Sequence, residues 1–233
     1  MSSDETNLVI ETLIKYFLPY RGLKLSMDAQ ELTPDYINTR FATSHYYRMI
    51  AINKEPRGSR KWVFIYILDD DLSKTVQTPS KNKPKLVELL SNAESDPKYK
   101  DLDELMIIAP SSFFGKKALM DTINMFSMDK GIKIVDPTGT KPYYTAYPYY
   151  KFSCDMPNHV EVTEHEILSM DKAAEFMSFD RINKMESLMR ITTMDTPIVW
   201  LGARDGQIVK IKRPSETTIE SIAYRRVYTA SSF

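Results

Sequence analysis

Apolar residues Leu8, Val9, Leu13, Ile14, Phe17 and Leu18 recur at the spacing of one helical face. Ser3 or Thr6 can cap this helix at its N-terminus, and Pro19 and Gly22 stop it. The period then changes. Tyr46 to Asn53 and Lys61 to Leu68 are rich in Tyr, Ile, Val and Phe and flank Glu55-Pro56-Arg57-Gly58-Ser59, which predicts two strands joined by a loop. Trp62 to Leu68 is almost continuously apolar, the pattern of a strand buried on both faces. From Asp69 to Asp103 polar residues dominate, interrupted by Pro79, Pro84 and Pro97, with one short helix predicted from Lys85 to Ala93. Leu105 to Ala109 restores a buried strand. A helix capped by Ser111 or Ser112 follows, with Leu119, Ile123, Met125 and Phe126 as its stripe and Gly131 as its stop, before a short strand at Ile132 to Val135. Strand, helix and strand in that order predict a parallel pair with a helix packed on it.

A turn-rich run, Asp136-Pro137-Thr138-Gly139-Thr140-Lys141-Pro142, leads into Tyr143, Tyr144, Tyr147, Tyr149, Tyr150 and Phe152. A second pattern starts afterwards, which places a domain boundary there: residues 1–154 and residues 155–233. Two short helices are predicted in the second part, Asp171 to Ser178 and Ile182 to Leu188. At the end, Asp205-Gly206 signals a tight turn and Gln207 to Lys212 alternates as a half-buried strand does. Pro214-Ser215-Glu216 turns the chain into a last strand, with Ile222, Tyr224 and Arg226 on one face and Ala223, Arg225 and Val227 on the other. The fold class is therefore α+β in two domains: an N-terminal α/β domain with a mixed sheet, and a small α+β domain ending in an antiparallel sheet.

With 42% hydrophobic and 27% charged residues the 233-residue chain belongs with soluble globular proteins. Lys+Arg 31 balances Asp+Glu 31, so a polyanion site has to be local. One such asymmetry exists: acidic residues outnumber basic ones from 155 to 195, and the balance reverses from 196 to 233. The one cysteine, Cys154, cannot form an internal disulfide, which suits a reducing compartment. No apolar run approaches the about 20 residues of a membrane span, and the acidic start lacks the features of a signal peptide, so no membrane partner is expected and the protein is expected inside the cell.

Asp69-Asp70-Asp71 lies at the end of the most apolar strand, where clustered carboxylates could hold Mg²⁺; a solvated strand end is the preferred reading, and a metal-dependent nuclease using Asp69 and Asp71 is the enzymatic alternative. It needs a further acid and a lysine on the next strand, and neither Leu105 to Ala109 nor Ile132 to Val135 carries a Glu-x-Lys pattern. His159 and His165 lack cysteine partners for zinc, so neither a metal nor a cofactor is expected. The tyrosines from 143 to 152 could stack bases, but only Lys141 and Lys151 flank them, and strand packing is the default. Lys116 and Lys117 near a helix N-terminus suit a phosphate. Arg204, Lys210, Lys212, Arg213, Arg225 and Arg226 make the terminal sheet basic, which suits water, nucleic acid or an acidic partner alike.

Gly202, Gly206, Gln207, Val209, Lys210, Ile211, Arg213, Pro214, Ser215, Glu216, Thr217, Tyr224 and Arg225 stand in one ungapped register. In that register the segment closely resembles the C-terminal end of the fifth subunit of eukaryotic nuclear RNA polymerases, a subunit that has a homologue in archaeal RNA polymerases. Leu188, Arg190, Ile191 and Asp195 extend the resemblance upstream, as does His159-Val160-Glu161-Val162-Thr163-Glu164-His165, over about the last 75 residues. Thr163 and Met189 depart from it by replacing prolines, Thr196 by replacing the proline after Asp195, Asp205 by replacing a basic residue, and Glu220 by replacing arginine. The front half matches more weakly, as a viral or fast-evolving version would. The resemblance implies a non-catalytic subunit whose C-terminal domain docks on the largest polymerase subunit, with His159, His165, Arg190, Arg204, Gln207, Lys210, Arg213, Glu216, Tyr224 and Arg225 as the partner-binding set. It also implies an N-terminal jaw domain beside downstream duplex DNA, with Pro110, Ser111, Lys116 and Lys117 nearest the backbone. The implied location is the nucleus for a cellular polymerase, and the host cytoplasm or virion for a viral one.

Overall fold

A computed structural model of the chain describes residues 3–53, 62–69, 102–114, 143–215 and 219–229. They form two compact units, one ending at Cys154 and the other beginning at Asp155. Each has its own sheet.

Unit 1 opens on α1 (Ser3–Thr12), which passes through a wider π turn (Leu13–Phe17) into α2 (Leu18–Tyr20). The buried stripe is Val9, Ile10, Leu13, Phe17 and Leu18, whereas Leu8 is 45% exposed. Leu8 stands five residues before Leu13, about 140° round the helix, while Ile10 stands three before it and shares its face. Thr6 lies inside α1 with its side chain buried, so it is no cap, and Pro19 is accommodated in α2. A further helix, α3 (Pro34–Ser44), is announced by its start and not by apolar periodicity: Thr33 Oγ1 accepts from the Tyr36 N–H, and Pro34 occupies the first turn.

The sheet of unit 1 has the order β1 (Leu23–Leu25), β2 (Tyr46–Asn53), β3 (Trp62–Leu68), β4 (Leu102–Ala109), β5 (Tyr143–Pro148). The first two junctions are antiparallel and the last two parallel, so the sheet is mixed. β3 is buried from Val63 to Leu68, as its unbroken apolar run demands. Besides β3, β4 has the tyrosine-rich segment as a parallel partner, with Ile107 opposite Ala146 and Ile108 opposite Tyr147. Its rings are mostly core: Tyr144, Tyr147, Tyr149 and Phe152 are buried, and Phe152 meets Phe17 edge-on at 5.2 Å. Such rings are not available to stack on bases. Tyr149 Oη donates to the Leu68 carbonyl, tying the turn after β5 to the end of β3. The loop at 55–59, the helix at 85–93, the helix expected after Ser112 and the strand at 132–135 lie outside the described residues.

One charged pair is built into this core. Arg21 Nη2 donates to Glu104 Oε2 at 2.7 Å, with side-chain exposures of 12% and 3%. Glu104 stands on β4, just before the apolar run Leu105 to Ala109, and needs a cation to be buried there. Arg21, just after α2, supplies it, and its guanidinium also lies 5.4 Å from the Phe17 ring centroid.

Unit 2 contains β6 (Glu164–Ile167), α4 (Met170–Phe179), β7 (Arg190–Thr192), α5 (Thr196–Leu201), β8 (Ile208–Ser215) and β9 (Ile219–Tyr228). The sheet order is β6-β8-β9-β7, with β8 antiparallel to both neighbours and β7 parallel to β9. α4 is capped by Ser169, whose Oγ accepts from the Lys172 N–H. The helix expected from Ile182 to Leu188 is a single 3-10 turn, Met185–Ser187. Arg181 takes φ +54, and Lys184 is extended at φ −139°, so α-helical hydrogen bonding does not propagate. Pro214 does not end its strand; it lies opposite Glu220, next to the hairpin end where a missing N–H is tolerated.

The ion pair makes a direct prediction. Arg21→Met leaves Glu104 buried without its cation and should lower the unfolding free energy by about 3–5 kcal/mol, whereas Arg21→Met with Glu104→Leu should recover most of that. Urea denaturation of the full chain measures both.

Candidate functional site

In a strand, successive side chains leave by opposite faces, and directly paired residues share a face. Val209 opposite Arg225 and Ile211 opposite Ala223 therefore put Arg225 on one side of the sheet, and Arg213, two residues beyond Ile211, on the same side. Lys210 opposite Tyr224 puts both on the other side, with Arg190 and Arg226, which are paired across β7 and β9. The basic residues therefore do not form a single face. The division follows from the core: Ile191, Val209, Ile211 and Val227 pack with Ile198 and Ala203 around α5, and Arg213, Arg225 and His165 lie on that core side.

Arg204 is a further correction. It is 8% exposed, in the turn before β8, and contributes no open charge to the surface. The turn is Arg204-Asp205-Gly206-Gln207, closed by the Gln207 N–H on the Arg204 carbonyl at 3.1 Å. Gly206 takes φ +87, the left-handed value required of the third residue of a type II turn. The Gln207 Oε1 accepts from the Arg204 N–H at 2.7 Å, and Asp205 Oδ2 accepts from the Thr229 N–H at 2.7 Å. Gly206 N–H donates to the Val227 carbonyl and Val227 N–H to that of Gln207. Gln207 and Asp205 thus lock the turn to the end of β9.

On the core side His165 is half-buried, and its Nδ1 lies 2.6 Å from the Thr163 carbonyl. A carbonyl only accepts, so Nδ1 carries the hydrogen. Burial pushes the imidazole below its usual 6.5; the Thr163 bond and Asp195 oppose this, and Arg213 and Arg225 add to it. Two guanidiniums beside a neutral imidazole suit an acidic or polar protein segment. Arg225 Nε is buried without a hydrogen-bond partner among the described residues.

The other side is shared with α4. Phe176 stacks on Tyr224 at 4.0 Å and 26°, and Lys172 approaches Glu166 at 3.6 Å. A groove of about 430 Å³ runs between them, edged by Lys210, Glu175 and Phe179, the last 86% exposed. Glu164 holds Lys212 at 3.0 Å. Arg226 reaches Asp205 at 3.8 Å and Glu186 at 3.9 Å. Arg190 is exposed and lies 5.3 Å from the Tyr228 ring centroid.

The remaining sequence candidates scatter. His159 is exposed in a turn, where its Nδ1 accepts from the Glu161 N–H at 3.4 Å. Pro110 is buried and Ser111 exposed at the end of β4, while Glu216, Lys116 and Lys117 lie outside the described residues. Asp69 pairs with His45 at 3.0 Å, and Asp71 is likewise outside. Among the described residues no group of three or more His, Cys, Asp or Glu is placed to hold a metal ion, and no helix is long and apolar enough to cross a membrane.

Residues 154–227 match the family model for the C-terminal domain of RNA polymerase Rpb5. The chain is 40% identical over 72 residues to "DNA-directed RNA polymerase subunit Rpo5" of Archaeoglobus fulgidus, covering 31% of this chain and 93% of the archaeal one. It is 30% identical over 139 residues to "DNA-directed RNA polymerase RPB5 homolog" of African swine fever virus (isolate Tick/Malawi/Lil 20-1/1983), covering 59% of this chain and spanning 61% of the viral relative's length. It is 37% identical over 73 residues to "DNA-directed RNA polymerases I, II, and III subunit RPABC1" of Caenorhabditis briggsae, 31% of this chain and 34% of that one.

Two outcomes test the geometry. Gly206→Ala should cost about 1–2 kcal/mol in denaturant unfolding, because a Cβ disfavours the left-handed backbone. The depressed His165 pKa means that the unfolded chain takes up its proton first, so the stability owed to this group falls as pH drops below 6.5 and levels off below the folded value. His165→Gln should flatten that part of the stability–pH curve relative to the unmodified chain.

Proposed function

The chain belongs to the Rpb5 family of DNA-directed RNA polymerase subunits, and we propose that it is a non-catalytic subunit that docks through unit 2 on the largest subunit of its polymerase. One observation carries this: the archaeal relative, itself named as a polymerase subunit, is covered over 93% of its length by 72 residues of this chain. A segment of that size acting as a subunit elsewhere is an assembly module here, and unit 2, which holds the residues of the family match, is that module.

The docking surface is the core-side rim of the sheet, where Arg213 and Arg225 flank His165. Exposed Arg213 steers an acidic partner segment, and half-buried Arg225 adds a second positive charge beside it. Lys210, Tyr224 and Arg190 face the other way, and Lys210 and Tyr224 serve a second contact through the groove beside α4. Unit 1 is the jaw domain beside downstream DNA, in line with a viral match that extends over 139 residues, past the C-terminal domain. Its DNA contacts are to the phosphate backbone, which positions the duplex without reading its sequence. The protein works wherever its polymerase transcribes: the nucleus for a cellular enzyme, the host cytoplasm or virion for a viral one.

Arg213→Glu with Arg225→Glu should reduce co-purification with the largest subunit about tenfold or more, while the melting curve of the isolated chain stays cooperative. Arg213→Glu alone, at an exposed position, should give part of the loss. Intact assembly in the double variant excludes this docking surface.

A further inference from the structure

β9 has 10 residues, and β7 runs beside it only at 226–228. Ahead of that pairing Ser221 and Ile222 are exposed, and Ala223, Tyr224 and Arg225 are half-buried. Successive backbone groups of a strand point to opposite edges. The Val227 N–H goes to the Gln207 carbonyl beside β8, and the Arg226 N–H goes to the Met189 carbonyl just before β7, which fixes the assignment. Residues 221, 223 and 225 therefore turn their N–H and C=O toward β8. Ile222 and Tyr224 direct theirs outward, where no described residue takes them.

Open edges are ordinarily blunted by lysine, proline or a bulge. The opposite edge of the hairpin is blunted in this way. β6 pairs with β8 only as far as Lys212, and the Leu168 N–H on the Ile208 carbonyl shows that the even-numbered residues of β8 point to that edge. Pro214 is one of them and has no N–H to offer. The stretch Ser221-Ile222-Ala223-Tyr224 of β9 holds neither lysine nor proline, so its backbone groups stay available to a further strand.

The flanking side chains limit which strand fits. On the core side stand Ala223 and Arg225, with Arg213 opposite Ser221. On the other side stand Ile222, 48% exposed, and Tyr224, stacked on Phe176. A neighbouring strand meets the two faces by turns, so it matches with acidic residues on the first and apolar residues on the second. A second copy of this chain matches less well, because pairing the same edge about a two-fold axis sets one arginine-bearing face beside another.

We propose that the edge of β9 at Ile222 and Tyr224 takes an added strand, an extended segment of alternating acidic and apolar residues from the largest polymerase subunit. The inference rests on the docking surface above and supplies its mode of attachment: backbone hydrogen bonds hold the segment, while Arg213 and Arg225 select it.

Assembly of the polymerase with variant chains tests this. Ile222→Pro removes an outward N–H, so urea unfolding of the isolated chain should stay cooperative while co-purification with the largest subunit falls about tenfold or more. Ile222→Val keeps the N–H and an apolar β-branched side chain and should assemble as the unmodified chain does. Amide exchange of the unmodified chain is a second readout, independent of whether a variant folds. On assembly the amides of 222 and 224 should slow about tenfold or more, and those of 223 and 225, already turned to β8, should change little. Full assembly of a folded Ile222→Pro chain, or unchanged exchange at 222 and 224, overturns the added strand. If Arg213→Glu with Arg225→Glu loses assembly and Ile222→Pro keeps it, the docking surface stands and the added strand falls; if both keep it, both fall. A dimer of the isolated chain in sedimentation that Ile222→Pro disperses assigns the edge to a second copy and overturns the partner strand.

Discussion

The two-residue pleat of β8 and β9 governs what unit 2 can present to a partner. Burying Val209, Ile211 and Val227 under α5 assigns Arg213 and Arg225 to that side, and it assigns Lys210, Tyr224 and Arg226 to the other. Register is therefore the quantity to protect, since a slip of one residue would exchange the two sets. The turn at 204–207 protects it. Gly206 admits the left-handed backbone, Gln207 closes the turn from inside, and Asp205 fastens it to Thr229 at the far end of β9. Residues that a family motif presents as a uniform basic string thus divide into a turn lock and two chemically different faces.

Unit 1 solves a different problem. Its central strands are buried on both faces, which suits a parallel arrangement, and a glutamate lies among their apolar residues. The pairing of Arg21 with Glu104 makes that burial tolerable and ties the end of the first helical segment to β4. The antiparallel side of the same sheet is less complete. β1 spans three residues against eight in β2.

Legibility followed periodicity. β2 and β3 were evident from their aromatic and β-branched runs, and β8 from the Asp205-Gly206 turn and the alternation that follows it. α3 escaped because Ile37 is its one buried residue, leaving almost no apolar stripe to read, although Thr33-Pro34 marks its start. The 3-10 turn at Met185–Ser187 looked helical because Ile182, Met185 and Leu188 keep a three-residue spacing, which does not supply the hydrogen bonds of a helix. The tyrosines of β5 read first as strand packing, with base stacking as the alternative. Burial in the core decides for the strand, and burial is a property of the neighbours that surround a segment.

The amino-acid sequence by itself determined the α+β class, the apolar strands of unit 1, the hairpin of unit 2 and, through the register from Gly202 to Arg225, the kinship with polymerase subunits. These are local or linear properties, carried by period, turn chemistry and the order of special residues. Only the tertiary structure decided that Arg204 is buried and that Lys210 and Arg225 look opposite ways. Charge is written in the sequence at each position. Its exposure and its neighbours depend on which strands pair and which helix covers them, and those relations join residues far apart along the chain.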